Sequence, residues 1–444
     1  MTKQQSVSMS RRAFLKDTGL IAVGATIGFP SIIPSKVLGA EAPSKKINIG
    51  MIGCGRQAMY SNLLPFMQSP DCVVVAMCDV DSWRLEQGLN AVRKHYDRPS
   101  CKGYRDFREL LAREDIDAVM ISTPDHWHVP MAVAAVKAGK DVALEKPITR
   151  SIHEGRVLAN LVKKHKRVFR VDSEFRSRIH FHMAVELVVN GRIGKLHTIR
   201  TGAPREFFPK EPDVITPPPA ELDYDLWLGP APQVDYIQKR VHPPRDLLGR
   251  PGWMRNLDYC DGMITNWGTH LNDIAQWGAG TERTGPVEIK ASGRFHDDKV
   301  WNVLEEFTAW YKFANGVELF YEMGTPHVRF EGEKGWIQVS DAGKLSASDP
   351  ALLRDKVRPD EIKYPLRPEK TDFIQAMKTR GETMEDAEVG HRTTSLCHLA
   401  HISIKLGGGK LRWDPERELF LDNEAANKLI AGPALRSPWQ IEEF

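Results

Sequence analysis

The chain is predicted to be an α/β protein, with a doubly wound parallel sheet in its first half. An α+β domain built on a mainly antiparallel, open sheet should follow. Three observations predict this. Between residues 46 and 172, short apolar runs alternate with helical patterns, the order that gives a parallel sheet covered on both faces. The first run ends in Gly53-Cys54-Gly55-Arg56-Gln57-Ala58, a small-residue turn of the kind that receives a nucleotide. Between residues 288 and 340 the pattern changes to short strands rich in aromatic and β-branched residues, joined by turns such as Ala314-Asn315-Gly316.

Residues 1–40 stand apart from this scheme. They hold Lys3, Arg11, Arg12, Lys16 and Lys36 against Asp17 alone, so a formal net charge of +3 leaves the remainder slightly acidic. No other basic run stands out, which excludes the electrostatic footprint of a nucleic-acid binder. A charged head, a Gly- and Ala-rich apolar stretch and a small-residue end form an export signal. Arg11-Arg12, within Ser-Arg-Arg-x-Phe-Leu-Lys, resembles the twin-arginine type, which implies the twin-arginine export machinery as a partner and a periplasmic mature protein. Cleavage is expected near Ala40. Gly24, Gly28, Pro30 and Pro34 interrupt the apolar run, so no permanent membrane span is expected. Six scattered cysteines lack metal-ligand spacing, and no metal is expected.

The first domain is assigned to residues 41–172. In the turn after its first strand, Gly53 permits the tight bend, Gly55 lets the backbone approach a pyrophosphate, and Ala58 allows close helix packing. Arg56 and Gln57 belong to the same turn, so the domain is Rossmann-like. The next strand ends at Asp79, where an acid meets ribose hydroxyls and disfavours a 2′-phosphate, so the cofactor is expected to be NAD rather than NADP. Later strand ends should gather further cofactor contacts. These are Thr123 and Pro124, with His128 opening the next helix, and Glu145-Lys146-Pro147. The proline restricts the backbone at Lys146 and directs the lysine to the crevice, where it can exchange a proton with a hydroxyl.

The second domain is assigned to residues 173–444, with a loop-rich insertion over 203–251 and terminal helices from about 369. In "ITNWGTHLNDIAQW", residues 264–277, Ile264, Trp267, Leu271, Ile274 and Trp277 recur at helical spacing as a buried stripe. Asn266, His270 and Asp273 share a second face of that helix, a candidate wall of the site. The insertion offers Tyr224, Trp227, Tyr236 and His242 to stack on and hydrogen-bond a sugar ring, and Arg176, Arg178 and His180 enter the cleft region. His391 is placed either at the crevice or in a helix cap or core. An exposed sheet face is expected to bury itself in a homodimer or homotetramer.

The ordered set "GMIGCGRQA", "VVAMCDVD", "STPDHWHVPMAVAAVKAGKDVALEKPI", "NGRIGKLHTIRTG", "DYDLWLGPAP" and "CDGMITNWGTHLNDIAQWG" resembles the glucose–fructose oxidoreductase, inositol dehydrogenase and MocA superfamily. The resemblance covers nearly all of residues 46–440. It implies oxidation or reduction of a secondary hydroxyl on a sugar, glycoside or cyclitol through NAD(P), with Lys146 and His270 as the catalytic pair. Asn266, Asp273, Arg176, Tyr236 and His242 are the expected substrate contacts. The usual pattern has Asp four residues before the histidine, where this chain has Asn266. Export of a folded protein fits a cofactor loaded before export and held tightly, which must then be regenerated within a turnover. A second reading is glycoside cleavage by transient C3 oxidation and elimination, as in some relatives, with Tyr236, His180 or His242 as the extra base. A third is a non-catalytic sugar- or NAD-binding relic, against which the intact Gly55, Asp79, Lys146 and His270 argue.

Overall fold

Six strands, β1 (Ile47–Ile52), β2 (Cys72–Cys78), β3 (Lys102–Tyr104), β4 (Ala118–Ile121), β5 (Asp141–Glu145) and β6 (Phe169–Asp172), form a parallel sheet ordered β3-β2-β1-β4-β5-β6. The computed structural model describes residues 46–97, 101–210, 214–355 and 357–441, so the export signal and its cleavage point lie outside the described residues. β4, β5 and β6 are buried at every position, as a sheet covered on both faces requires. Strand order reverses between β1 and β4, which opens a crevice between the Gly53 turn and Thr123. Glu145 and Asp172 pair in register at the ends of β5 and β6, so two acids stand side by side there.

A second sheet holds β7 (Leu196–Ala203), β8 (Pro286–Phe295), β9 (Leu304–Phe313), β10 (Glu318–Met323), β11 (His327–Gly332), β12 (Gly335–Ser340), β13 (Leu345–Ala347), β14 (Leu411–Asp414) and β15 (Leu419–Leu421). Its order is β13-β12-β11-β7-β10-β9-β8-β14-β15, antiparallel throughout except where β7 and β10 run parallel. The mixed, mostly antiparallel character agrees with the sequence expectation. Alternation along β10, with Leu319, Tyr321 and Met323 buried, turns one face onto the helices Ile179–Val189, Gly268–Ala279 and Ala387–Lys405. On the other face Trp310, Phe320 and Trp336 lie beneath Lys410, Arg200 and Arg329.

The helix Glu369–Thr379, from the far end of the chain, returns to the first sheet. Its Phe373, Ile374 and Met377 share a core with Met51, Phe66 and Met120. Much of the insertion packs on itself around Leu222, Trp227, Tyr236, Val241 and Tyr259. It docks on the first sheet where Ser82 N–H donates to Glu221 O and Asp223 N–H donates to Val80 O.

Candidate active site

At Gly53 φ is +94°, and a Cβ there would come within 2.4 Å of the Ser122 carbonyl oxygen, so glycine is required. At Gly55 a Cβ would meet nothing within 4 Å, which leaves the backbone open to a ligand. The helical stretch that follows widens into a π turn at Ala58–Asn62. This turn buries Asn62, whose amide donates to Ser122 Oγ (2.9 Å) and Glu145 Oε1 (2.8 Å). The cleft beside these residues has a volume of about 470 Å³, within the range of small-molecule sites.

Asp79 lines one end of the cleft. Its Oδ2 accepts from Cys54 N–H (2.6 Å) and its Oδ1 from Asp81 N–H (2.8 Å). Asp81 caps the helix Ser82–Tyr96. Arg56, Gln57, Thr123, Pro124, His128, Glu145 and Lys146 all line the same cleft. His128 ties two strand-end loops together, facing Pro147 O at 2.7 Å and Thr123 O at 3.0 Å. Burial pushes its pKa down to about 4. The donor set therefore suits a dinucleotide: an open glycine backbone for the phosphates and an acid for the ribose.

The insertion closes over this end. Arg84 donates to the Pro243 and Asp246 carbonyls, both at 2.8 Å, and Arg56 to Leu248 O at 3.2 Å. His242 Nε2 lies 2.9 Å from Asp81 Oδ2. His242 lines the cleft at this end, beside Asp81 and away from Lys146, because the strap runs along the first sheet.

At the other end Lys146 Nζ donates to the Asn266 carbonyl at 3.0 Å. The predicted helix is broken at Trp267 into Met263–Asn266 and Gly268–Ala279, and Asn266 lines the cleft. His270 is 6 % exposed, behind the cleft wall, and its ring stacks on Phe175. Its Nδ1 lies 2.9 Å from Ser173 Oγ and 3.7 Å from Glu174 Oε2. Burial, followed by the charges of Lys146 and Arg178, holds the imidazole well below its usual pKa, so it is neutral near pH 7.

Three expected substrate contacts are corrected. Asp273 is fully buried and takes a bidentate pair from Arg176, at 2.6 and 2.7 Å. Arg176 also binds Met384 O and Glu282, so both residues brace the helix rather than face the cleft. Beyond His270, the polar residues of this helix, Asn272, Asp273 and Gln276, are buried and bonded to protein. Tyr236, 4 % exposed, belongs to the insertion's core and packs edge-on against Tyr224. Of the other residues considered, His180 lies against Gly343, and His391 is buried with Nε2 2.6 Å from Glu418.

Sequence reasoning missed Asn62, Glu174, Lys370 and Asp125. Asp125 lines the cleft, and its Oδ2 is buried with no hydrogen-bond partner. Burial pushes this carboxyl up to about 7. Among the described residues no cluster of His, Cys, Asp or Glu could hold a metal ion, and no helix is long and apolar enough to cross a membrane.

Two family models match: an oxidoreductase-family NAD-binding Rossmann fold over residues 47–173, and the C-terminal alpha/beta domain of the same family over 206–441. The chain belongs to the Gfo/Idh/MocA oxidoreductase family. Among solved Gfo/Idh/MocA-like structures, an aldose-aldose oxidoreductase from Caulobacter crescentus superposes with a TM-score of 0.62 at 17% identity. The superposition covers 83% of this chain and 99% of that one. A 3-ketoreductase from Actinomadura kijaniata, solved with NADP, gives 0.57 at 18% identity over 82% and 98%. At these identities the likeness concerns the fold. Among curated relatives, a glycosyl hydrolase family 109 protein from Shewanella sp. (strain W3-18-1) is 30% identical over 164 residues, 33% of this chain. The match spans only 35% of that relative's length.

Proposed function

We propose that this Gfo/Idh/MocA protein is an exported NAD-dependent enzyme acting on a secondary hydroxyl of a sugar, glycoside or cyclitol. The observation that carries the reading is one cleft with Asp79 at one end and Lys146, tethered to Asn266, at the other. A nicotinamide held there supplies the hydride acceptor or donor. Lys146 meets the reacting oxygen and stabilises its developing negative charge. His270, neutral near pH 7, is the second group of the pair that the family resemblance implies for the proton transfer. Asp79, with both oxygens engaged by backbone N–H groups, favours NAD over NADP. The twin-arginine motif supports periplasmic residence with the cofactor loaded before export, and the strap of residues 242–254 supports tight retention. The outward face of the second sheet suits a homodimer or homotetramer.

The likeness to glycosyl hydrolase family 109 proteins favours a second reading, glycoside cleavage by transient oxidation and elimination. Of its expected bases, Tyr236 is enclosed and His242 lines the cleft bound to Asp81; Asp125, not among them, lines it with Oδ2 unpartnered. Product analysis after incubation with a panel of glycosides separates the two. A keto-sugar that keeps its aglycone supports the dehydrogenase; free aglycone without net NADH supports the cleavage. Neither product, with nicotinamide bound to the isolated protein, would sink both.

A further inference from the structure

Lys146 stands among acids yet pairs with none of them. Glu145 precedes it, and Asp172 is the register partner of Glu145 on β6. Each is at most 5 % exposed, so either would be a strong trap for a neighbouring ammonium. A second lysine occupies Asp172, and Asn62 holds Glu145. Lys370, at the start of the helix Glu369–Thr379, is 3 % exposed, and its Nζ donates to Asp172 Oδ1 (2.7 Å) and Oδ2 (2.6 Å). The same Nζ donates to Asn62 Oδ1 (2.8 Å), and the Asn62 amide holds Glu145 Oε1. Among the described residues, Lys146 therefore makes no ion pair. Its hydrogen-bond partner is the neutral carbonyl of Asn266.

We infer that Lys370 is a positioning residue: a decoy cation that engages Asp172, the register partner of Glu145, and leaves Lys146 free to meet substrate. The consequence for turnover rests on Lys146 being the group that meets the reacting oxygen, but the arrangement itself does not. Asp172 also stands near His270, so the decoy bears on both candidate catalytic groups. The geometry couples the far end of the chain to the strand ends of the first sheet, across 198 residues from Lys370 to Asp172.

The test reads the chemical reactivity of Lys146 and needs no substrate. The holoprotein is pulsed with acetic anhydride at a fixed mildly alkaline pH. Acetylation of Lys146 is then measured by mass spectrometry against the exposed Lys344 in the same sample. Lys370→Met frees Asp172 to capture Lys146, so its relative labelling should fall about tenfold, the effect of one newly engaged opposite charge. Asp172→Asn removes the trap and should label at least as fast as the parent. Lys370→Met/Asp172→Asn should return to the parent rate, because with the acid gone no decoy is needed. A purely structural lysine would lower the melting temperature in Lys370→Met without this loss and rescue. Parent-like labelling in Lys370→Met, or a double variant that stays slow, overturns the inference. If Lys370→Met does not fold, Lys370→Gln, which keeps a donor towards Asp172 without the charge, is read in its place, with the same expected loss and the same rescue by Asp172→Asn. A failed sugar screen beside a successful labelling result would count against the proposed reaction and not against the decoy.

Discussion

Asp125 offers the sharpest quantitative test of the site. Burial pushes its carboxyl up to about 7, although a hydrogen bond with Cys260 and the charges of Lys146 and Arg150 pull the other way. In the unfolded chain an aspartate titrates near 4. The native state thus holds a proton that the unfolded state releases, and ionisation opposes folding. The cost is full above about pH 7 and vanishes as pH falls towards 4. The gap between these two titration points corresponds to about 4 kcal/mol at pH 8, and roughly 1.5 kcal/mol remains at pH 5. Asp125→Asn removes this cost but places an amide where Oδ2 has no partner, at about 1–3 kcal/mol. The variant should be more stable than the parent at pH 8 and no more stable at pH 5. Between these conditions the difference should change by about 2.5 kcal/mol. Urea unfolding of parent and variant at both pH values measures it, and taking the difference cancels the other buried groups. Equal effects at the two pH values would refute the assignment of a buried, proton-holding carboxyl. A stabilised variant with lower turnover would further mark Asp125 as a group kept for function.

Lys146→Ala and His270→Ala should each lower turnover at least about a hundredfold while nicotinamide stays bound, as read by the absorbance of the isolated protein; unchanged turnover in both removes the pair. Asp79→Asn leaves one of two backbone N–H groups without an acceptor, and should weaken NAD binding about tenfold or more and narrow its margin over NADP in titration. Gly53→Ala drives a Cβ towards the Ser122 carbonyl at positive φ, and should cost about 1–3 kcal/mol in thermal unfolding and release the nucleotide. Asn266→Asp should raise the titration midpoint of His270 towards its ordinary range, seen in imidazole NMR shifts; an unmoved midpoint would separate the two residues electrostatically.

The parts of the site written in local pattern are legible without the fold. A glycine turn after a strand and an acid at the next strand end are set by neighbours in sequence, and Gly53, Gly55 and Asp79 line the cleft together with Lys146. The polar file on residues 264–277 is a weaker guide. Helical spacing places Asn266, His270 and Asp273 near one face, but it does not say what that face meets. Trp267 breaks the helix, and a buried arginine claims Asp273. Tyr236 misleads for a similar reason: an aromatic in a loop-rich insertion suits either a ligand or the insertion's own core, and only packing decides.

Lys370 and Asn62 lie beyond reach because their partners are 198 and 83 residues distant, and neither sits in a recognisable motif. Their geometry changes what the family's lysine requires. A lysine beside glutamate in a buried strand end would ordinarily be neutralised in place. Here Glu145 is satisfied through Asn62, which a π turn aims inward, and Asp172 is satisfied by a cation from the chain's far end. The departure at Asn266 fits the same arrangement. With Asp172 engaged and no carboxylate at 266, the nearest acid to His270 Nδ1 is Glu174, at 3.7 Å and beyond hydrogen-bond length. The imidazole therefore stays neutral beside a lysine that makes no ion pair. A neutral imidazole suits the base of the proposed reaction, and buried partners outside the proposed pair hold it so.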